Sequence, residues 1–143
     1  MMGLAKTPEL FRCGINYVGV TDLNLFATAH WADYANSEFT KYGMKAMVGD
    51  LEGDVERLKT TSPVEMAARI KAPVFMAYGA ADRRVVPEHG TRMKAALEER
   101  GAKPLWMMVD GEGHGFREMK NQVSFYGAME KFLAEHIGDG PRR

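Results

Sequence analysis

The sequence has one cysteine, no net charge and no long apolar run, and each shortage closes off a class of proteins. Cys13 alone cannot build an internal disulfide framework. With no Cys-x-x-Cys pair and no clustered Cys/His set, it gives no ground for structural zinc either, and its expected place is as a small core residue. Nineteen basic side chains balance nineteen acidic ones. No basic run is long enough to track phosphates, so neither nucleic acid nor an anionic membrane surface has an electrostatic footprint. No segment approaches the roughly eighteen consecutive apolar residues that a membrane span requires. Met1-Met2-Gly3-Leu4-Ala5-Lys6 lacks the charged start and apolar middle of a signal peptide, and a cytoplasmic protein without metal or cofactor is expected.

What is present is ordinary for one globular domain: 143 residues, 45% apolar and 27% charged. The stretch from Pro73 to Val85 organises the rest. Val74 to Tyr78 is a short β-branched and aromatic run opened by Pro73 and closed by Gly79, the pattern of a strand buried on both faces. Asp82 follows at once. A carboxylate just past a buried parallel strand stands where open α/β sheets place reactive groups, because helices cover the faces and only strand ends meet solvent. Asp beside Gly and Ala also shapes turns. A second strand-end site raises the weight of the functional reading. Leu105 to Val109 is another apolar run, followed by Asp110-Gly111-Glu112-Gly113-His114-Gly115-Phe116, where glycines on both sides free the imidazole of His114. The helical pattern from Glu88 to Arg100 separates the two strands and makes them parallel, with both loops at one end. Asp82 and His114 can then meet as the acid and base of a nucleophile-base-acid triad.

Met1 to Lys6 reads as helix without a capping residue, stopped by Thr7-Pro8, and so as the tail of a longer helix. A strand is expected over 15–20, making three in all. From Asn24 to Thr61 the apolar residues follow no strand period and suggest short helices whose aromatics pack on the sheet. His30 in that segment stays outside the expected site. Ser62-Pro63 fits an N-cap followed by Pro at the first helical position. Met93, Ala96 and Leu97 form the inner stripe of the Glu88 to Arg100 helix. The last helix runs about Glu118 to His136, with Val123, Tyr126, Met129, Phe132, Leu133 and Ile137 facing inward. A domain over 1–137 and a flexible tail over 138–143 complete the expectation.

The order of Asp82 and then His114, each after a strand with a helix between, resembles the C-terminal half of an α/β-hydrolase. More narrowly, the chain resembles the peptidase domain of the prolyl oligopeptidase family, with its dipeptidyl-peptidase and acylaminoacyl-peptidase relatives. The matching stretches are Pro8-Glu9-Leu10-Phe11, Val20-Thr21-Asp22-Leu23, Ser62-Pro63, Ile70-Lys71-Ala72-Pro73, Gly79-Ala80-Ala81-Asp82-Arg83-Arg84-Val85 and Gly111-Glu112-Gly113-His114-Gly115-Phe116. The resemblance implies a serine peptidase in which Asp82 is the triad acid and His114 the general base. It also implies that Arg84 bonds a substrate backbone carbonyl near the scissile bond; a solvated arginine is the other reading.

The departure from the family lies in the nucleophile. No Gly-x-Ser-x-Gly elbow occurs in the sequence, and Ser37, Ser62 and Ser124 are its only serines. None stands between a strand and a helix, and the resemblance puts the family's serine a few residues before Met1. The oxyanion hole goes with it. The expectation is therefore the C-terminal piece of a peptidase domain, inactive alone. In the complete enzyme the substrate would be a peptide. The strand over 15–20 would expose an unpaired edge, and a homodimer across it, or association with an N-terminal portion, is expected. An esterase or dienelactone-hydrolase-like fragment and a non-catalytic assembly module are the alternative readings.

Overall fold

The computed structural model describes residues 1–29 and 31–138; His30 and the tail over 139–143 lie outside the described residues. In chain order the elements are α1 (Met2–Lys6), β1 (Gly14–Tyr17), α2 (Leu25–Thr28), a π-helical turn (Phe39–Gly43), α3 (Met44–Met47) and α4 (Val55–Thr60). A 3-10 helix (Pro63–Arg69), β2 (Val74–Gly79), α5 (Glu88–Glu99), β3 (Leu105–Val109) and α6 (Met119–Ile137) follow. The three strands form one parallel sheet in the order β1-β2-β3. The fold is α/β, as expected. Among the described residues no helix is long and apolar enough to cross a membrane.

β2 is central, and all six of its residues are buried. Its alternating side chains divide between two cores. Val74, Met76 and Tyr78 pack with Leu4, Ile70, Met93 and Leu97, beneath α1, the 3-10 helix and α5. Phe75 and Ala77 pack with Phe116, Phe125 and Phe132, beneath α6. Helices on both faces leave only the strand ends open, and this puts the loops after β2 and β3 at one end of the sheet.

Three expectations need correction. The strand expected over 15–20 ends at Tyr17. Val18 still donates to the Ala77 carbonyl at 2.8 Å but has φ +47°, a left-handed conformation that β-branched residues avoid. The buried Tyr78 hydroxyl explains the turn: it accepts from Asn16 Nδ2 at 2.8 Å and donates to the Gly19 carbonyl at 2.7 Å, drawing the chain across the strand end.

The inner face of α6 is also rotated from the expected one. Phe125 and Phe132 are its buried residues, whereas Val123, Tyr126 and Ile137 are 64%, 56% and 54% exposed. Phe125 decides this by stacking on Tyr17 at 4.2 Å between ring centroids and meeting Phe75 and Phe116 at 5.6 and 5.7 Å. Ser62 precedes a 3-10 helix with Pro63 at its start, but its hydroxyl does not cap that helix. It accepts from the Leu23 amide at 2.8 Å and donates to the Leu58 carbonyl at 2.7 Å, so it ties the loop after β1 to α4.

Candidate active site

Strand β2 ends at Gly79, and the chain turns at once into Ala80-Ala81-Asp82. Asp82 is buried. Its Oδ1 accepts from the amides of Arg84 at 2.8 Å and Val85 at 2.9 Å, a local turn that fixes the carboxylate plane. Oδ2 is left for one partner, the Nδ1 of His114 at 3.0 Å. Because a carboxylate only accepts, that nitrogen carries the proton and Nε2 holds the free lone pair. The Asp82 side chain is 0% exposed and the His114 side chain 34% exposed, so the ring is anchored from the buried side and open on the other.

The loop carrying His114 is built by glycines at two points where backbone conformation demands them. Gly111 and Gly115 have φ +75° and +100°. Gly79 matters for a different reason: a Cβ there would lie 2.3 Å from the carbonyl oxygens of Glu112 and Gly113. Only a residue without a side chain lets the two loops touch. Where they touch they are bonded, with the Ala80 amide donating to the Val109 carbonyl and the Ala81 amide to the Glu112 carbonyl, each at 2.9 Å.

Glu112 is buried, and its carboxylate accepts from the Arg117 amide at 2.8 Å, the Glu118 amide at 3.0 Å and Asn121 Nδ2 at 2.7 Å. These bonds, Asn121 first, hold its carboxyl below the usual carboxylate range. The Phe116 amide donates to the Tyr17 hydroxyl, which ties the same loop to β1. Neither contact was legible in sequence. Glu112 stands too far ahead of α6 for a capping box, and Tyr17 is remote in the chain.

Arg84 projects from the Asp82 turn with its guanidinium exposed. It lines a cavity of about 440 Å³ together with His114, Arg83, Arg117, Asp33 and Glu118. Arg83 is engaged: it lies 3.5 Å from Asp33 and donates to the Trp31 carbonyl at 3.0 Å, which brings the irregular 24–61 segment to the rim of the site. The side chain of Arg84 has no hydrogen-bond or ion-pair partner among the described residues. Each serine hydroxyl is committed elsewhere, Ser37 beside Thr40, Ser62 between Leu23 and Leu58, and Ser124 on the Lys120 carbonyl.

The pair of loops has counterparts in known proteins. Dipeptidyl peptidase family member 6 of Caenorhabditis elegans is 30% identical over 141 residues, which cover 96% of this chain and 19% of that protein. Dipeptidyl aminopeptidase BIII of Pseudoxanthomonas mexicana is 30% identical over 143 residues, covering 96% of this chain and 20% of the relative. The chain thus spans about one fifth of the length of the curated relatives it matches. A solved puromycin-hydrolyzing peptidase of Mycobacterium tuberculosis superposes with a TM-score of 0.82 at 26% identity, over 98% of this chain and 20% of that one. The acylaminoacyl peptidase of Pyrococcus horikoshii, at 17% identity and a TM-score of 0.75 over 99% of this chain and 22% of that one, shares the fold. Residues 1–140 match the prolyl oligopeptidase family as a whole. With the sheet, the loop order and the sequence match all in agreement, the chain belongs to the prolyl oligopeptidase family.

Proposed function

We propose that this chain carries the acid and base of a Ser-Asp-His triad of a serine peptidase, with Asp82 as acid and His114 as general base. The observation that supports this best is the 3.0 Å contact between His114 Nδ1 and an Asp82 carboxylate whose other oxygen is fixed by two amides. In such a pair the carboxylate holds the imidazole tautomer and stabilises the imidazolium formed when Nε2 takes the nucleophile's proton. The peptidase names of the relatives favour peptide bonds as the substrate. Arg84, unpaired at the cavity beside His114, suits a bond to a substrate backbone carbonyl.

No serine of the chain lies in a Gly-x-Ser-x-Gly elbow, and the three serines present are bonded away from His114. The 143 residues are therefore expected to be inactive by themselves. A fluorophosphonate, which phosphonylates serines activated by a histidine, should leave the intact mass unchanged. A stoichiometric adduct on Ser37, Ser62 or Ser124 would overturn this part of the proposal. With a serine-bearing elbow segment supplied, turnover of aminoacyl-arylamides is expected to exceed that of simple esters. The reverse preference would identify an esterase, and no turnover of either would leave an assembly role.

A further inference from the structure

Glu112 takes no part in the proton chemistry described above, yet it is the residue on which the two loops and α6 converge. Its main chain faces the acid. The Glu112 carbonyl accepts from Ala81, the residue before Asp82, and sits in the space that a Cβ on Gly79 would fill. Its side chain faces forward, where the carboxylate binds the Arg117 and Glu118 amides and the Asn121 side chain at 2.7 to 3.0 Å. His114 lies between these two anchors. The bonds from residue 112 to residue 117 close the segment that bears it into a ring.

Two glycines flank His114, and glycines give a backbone freedom to move rather than to hold one orientation. Something else must fix the ring's height over Asp82. Asp82 itself is locked by the Arg84 and Val85 amides and cannot follow a drifting imidazole. A buried carboxylate accepting three bonds, two of them from backbone amides, is a stiff strut, and charge-assisted bonds of this kind are about twice as strong as neutral ones. We propose that Glu112 is a positioning residue for His114, closing the 112–117 loop through its carboxylate while its carbonyl holds the Asp82 turn, so that base and acid stay in register. This rests on the assignment of His114 as base.

The test uses the chain as it stands and reads the His114 ring directly. In Glu112→Gln the amide NH2 takes the place of Oε2 and faces the Arg117 N–H, so the 112–117 bond is lost while the remaining oxygen still accepts from Glu118 and Asn121 and the shape is kept. Nitrogen-15 NMR should then show the His114 Nδ1 proton exchanging with water about tenfold faster than in the parent, the weight of one charge-assisted hydrogen bond. The neutral ring should also become a mixture of tautomers. The same spectra must show β2 and β3 amides undisturbed. An E112Q chain that unfolds less cooperatively but keeps the parent's Nδ1 exchange rate and single tautomer would reduce Glu112 to a structural cap and overturn the proposal.

If E112Q fails to fold, Asn121→Ala removes one of the three donors from the face of α6. It should speed the exchange by a smaller factor, and no change there would also refute the idea. Absence of hydrolysis after supplying the serine segment would overturn the catalytic assignment alone, because the exchange measurement does not depend on turnover.

Discussion

At the scale of single residues, His89 makes the clearest statement about stability. It is fully buried at the start of α5, with Nδ1 facing the amides of Thr21 and Asp22 at 3.3 Å each. The proton must therefore sit on Nε2, which has no partner among the described residues. Burial lowers its pKa from 6.5 to about 4; Asp22 and Asp82 pull upward, and Arg92 adds to the lowering. Between those values the unfolded chain binds a proton that the folded chain refuses. Stability from this site is complete above about pH 6.5 and falls as pH drops toward 4, by on the order of 3 kcal/mol in all. Urea unfolding midpoints at pH 7 and pH 4.5 should show the loss, and His89→Gln should flatten it. Glu112 acts lower on the scale, its contribution present above the ordinary carboxylate pKa and lost as pH falls through its lowered value. Gly79→Ala should cost at least about 2 kcal/mol in the same assay, because the added carbon meets backbone oxygens that cannot move aside. Asp82→Asn should leave the fold intact and, in an enzyme completed with its serine, lower kcat by about 10⁴ through the wrong tautomer of His114.

Among the elements, those that carry their own boundaries were legible in the sequence. β2 begins after Pro73 and closes on Gly79, α5 stops before Gly101, and β3 follows Pro104. That the side chains of Asp82 and His114 come together was legible for the same reason, since each stands just past such a strand. The early end of β1 was not, because it depends on the Tyr78 hydroxyl reaching Gly19 from across the sheet. Nor was the rotation of α6: Val123 and Tyr126 are as apolar as Phe125 and Met129, and only Tyr17 and Phe75 decide which set turns inward. β1 also has a free edge among the described residues. Gly14 and Val18 turn their amides to β2, so the alternation of a strand points the backbone groups of Ile15 and Tyr17 away from the sheet. An edge unpaired among the described residues is a template for another strand, and a second copy is expected to use it. Sedimentation at high micromolar concentration should show dimers. A parent chain that stays monomeric at that concentration would remove this expectation.

For the molecule as a whole, the sheet register sets an order of assembly. Phe75 pairs with Leu105, thirty positions on, whereas Gly14 pairs with Val74, sixty positions on. Closing the longer loop costs more conformational entropy, and that cost falls before any contact rewards it. β2, α5 and β3 are therefore expected to close first, with β1 docking onto them afterward. Native-state hydrogen exchange should find the β2 and β3 amides protected together and those of β1 opening at lower free energy. Asp82 belongs to the early unit, whereas the loop of His114 is tied to β1 through Tyr17 and to α6 through Asn121, so the pair is expected to be fixed only once those elements have docked. During synthesis the sequence runs the other way: the β1 segment leaves the ribosome well before β2, and it must wait for that partner until residues 74–79 emerge.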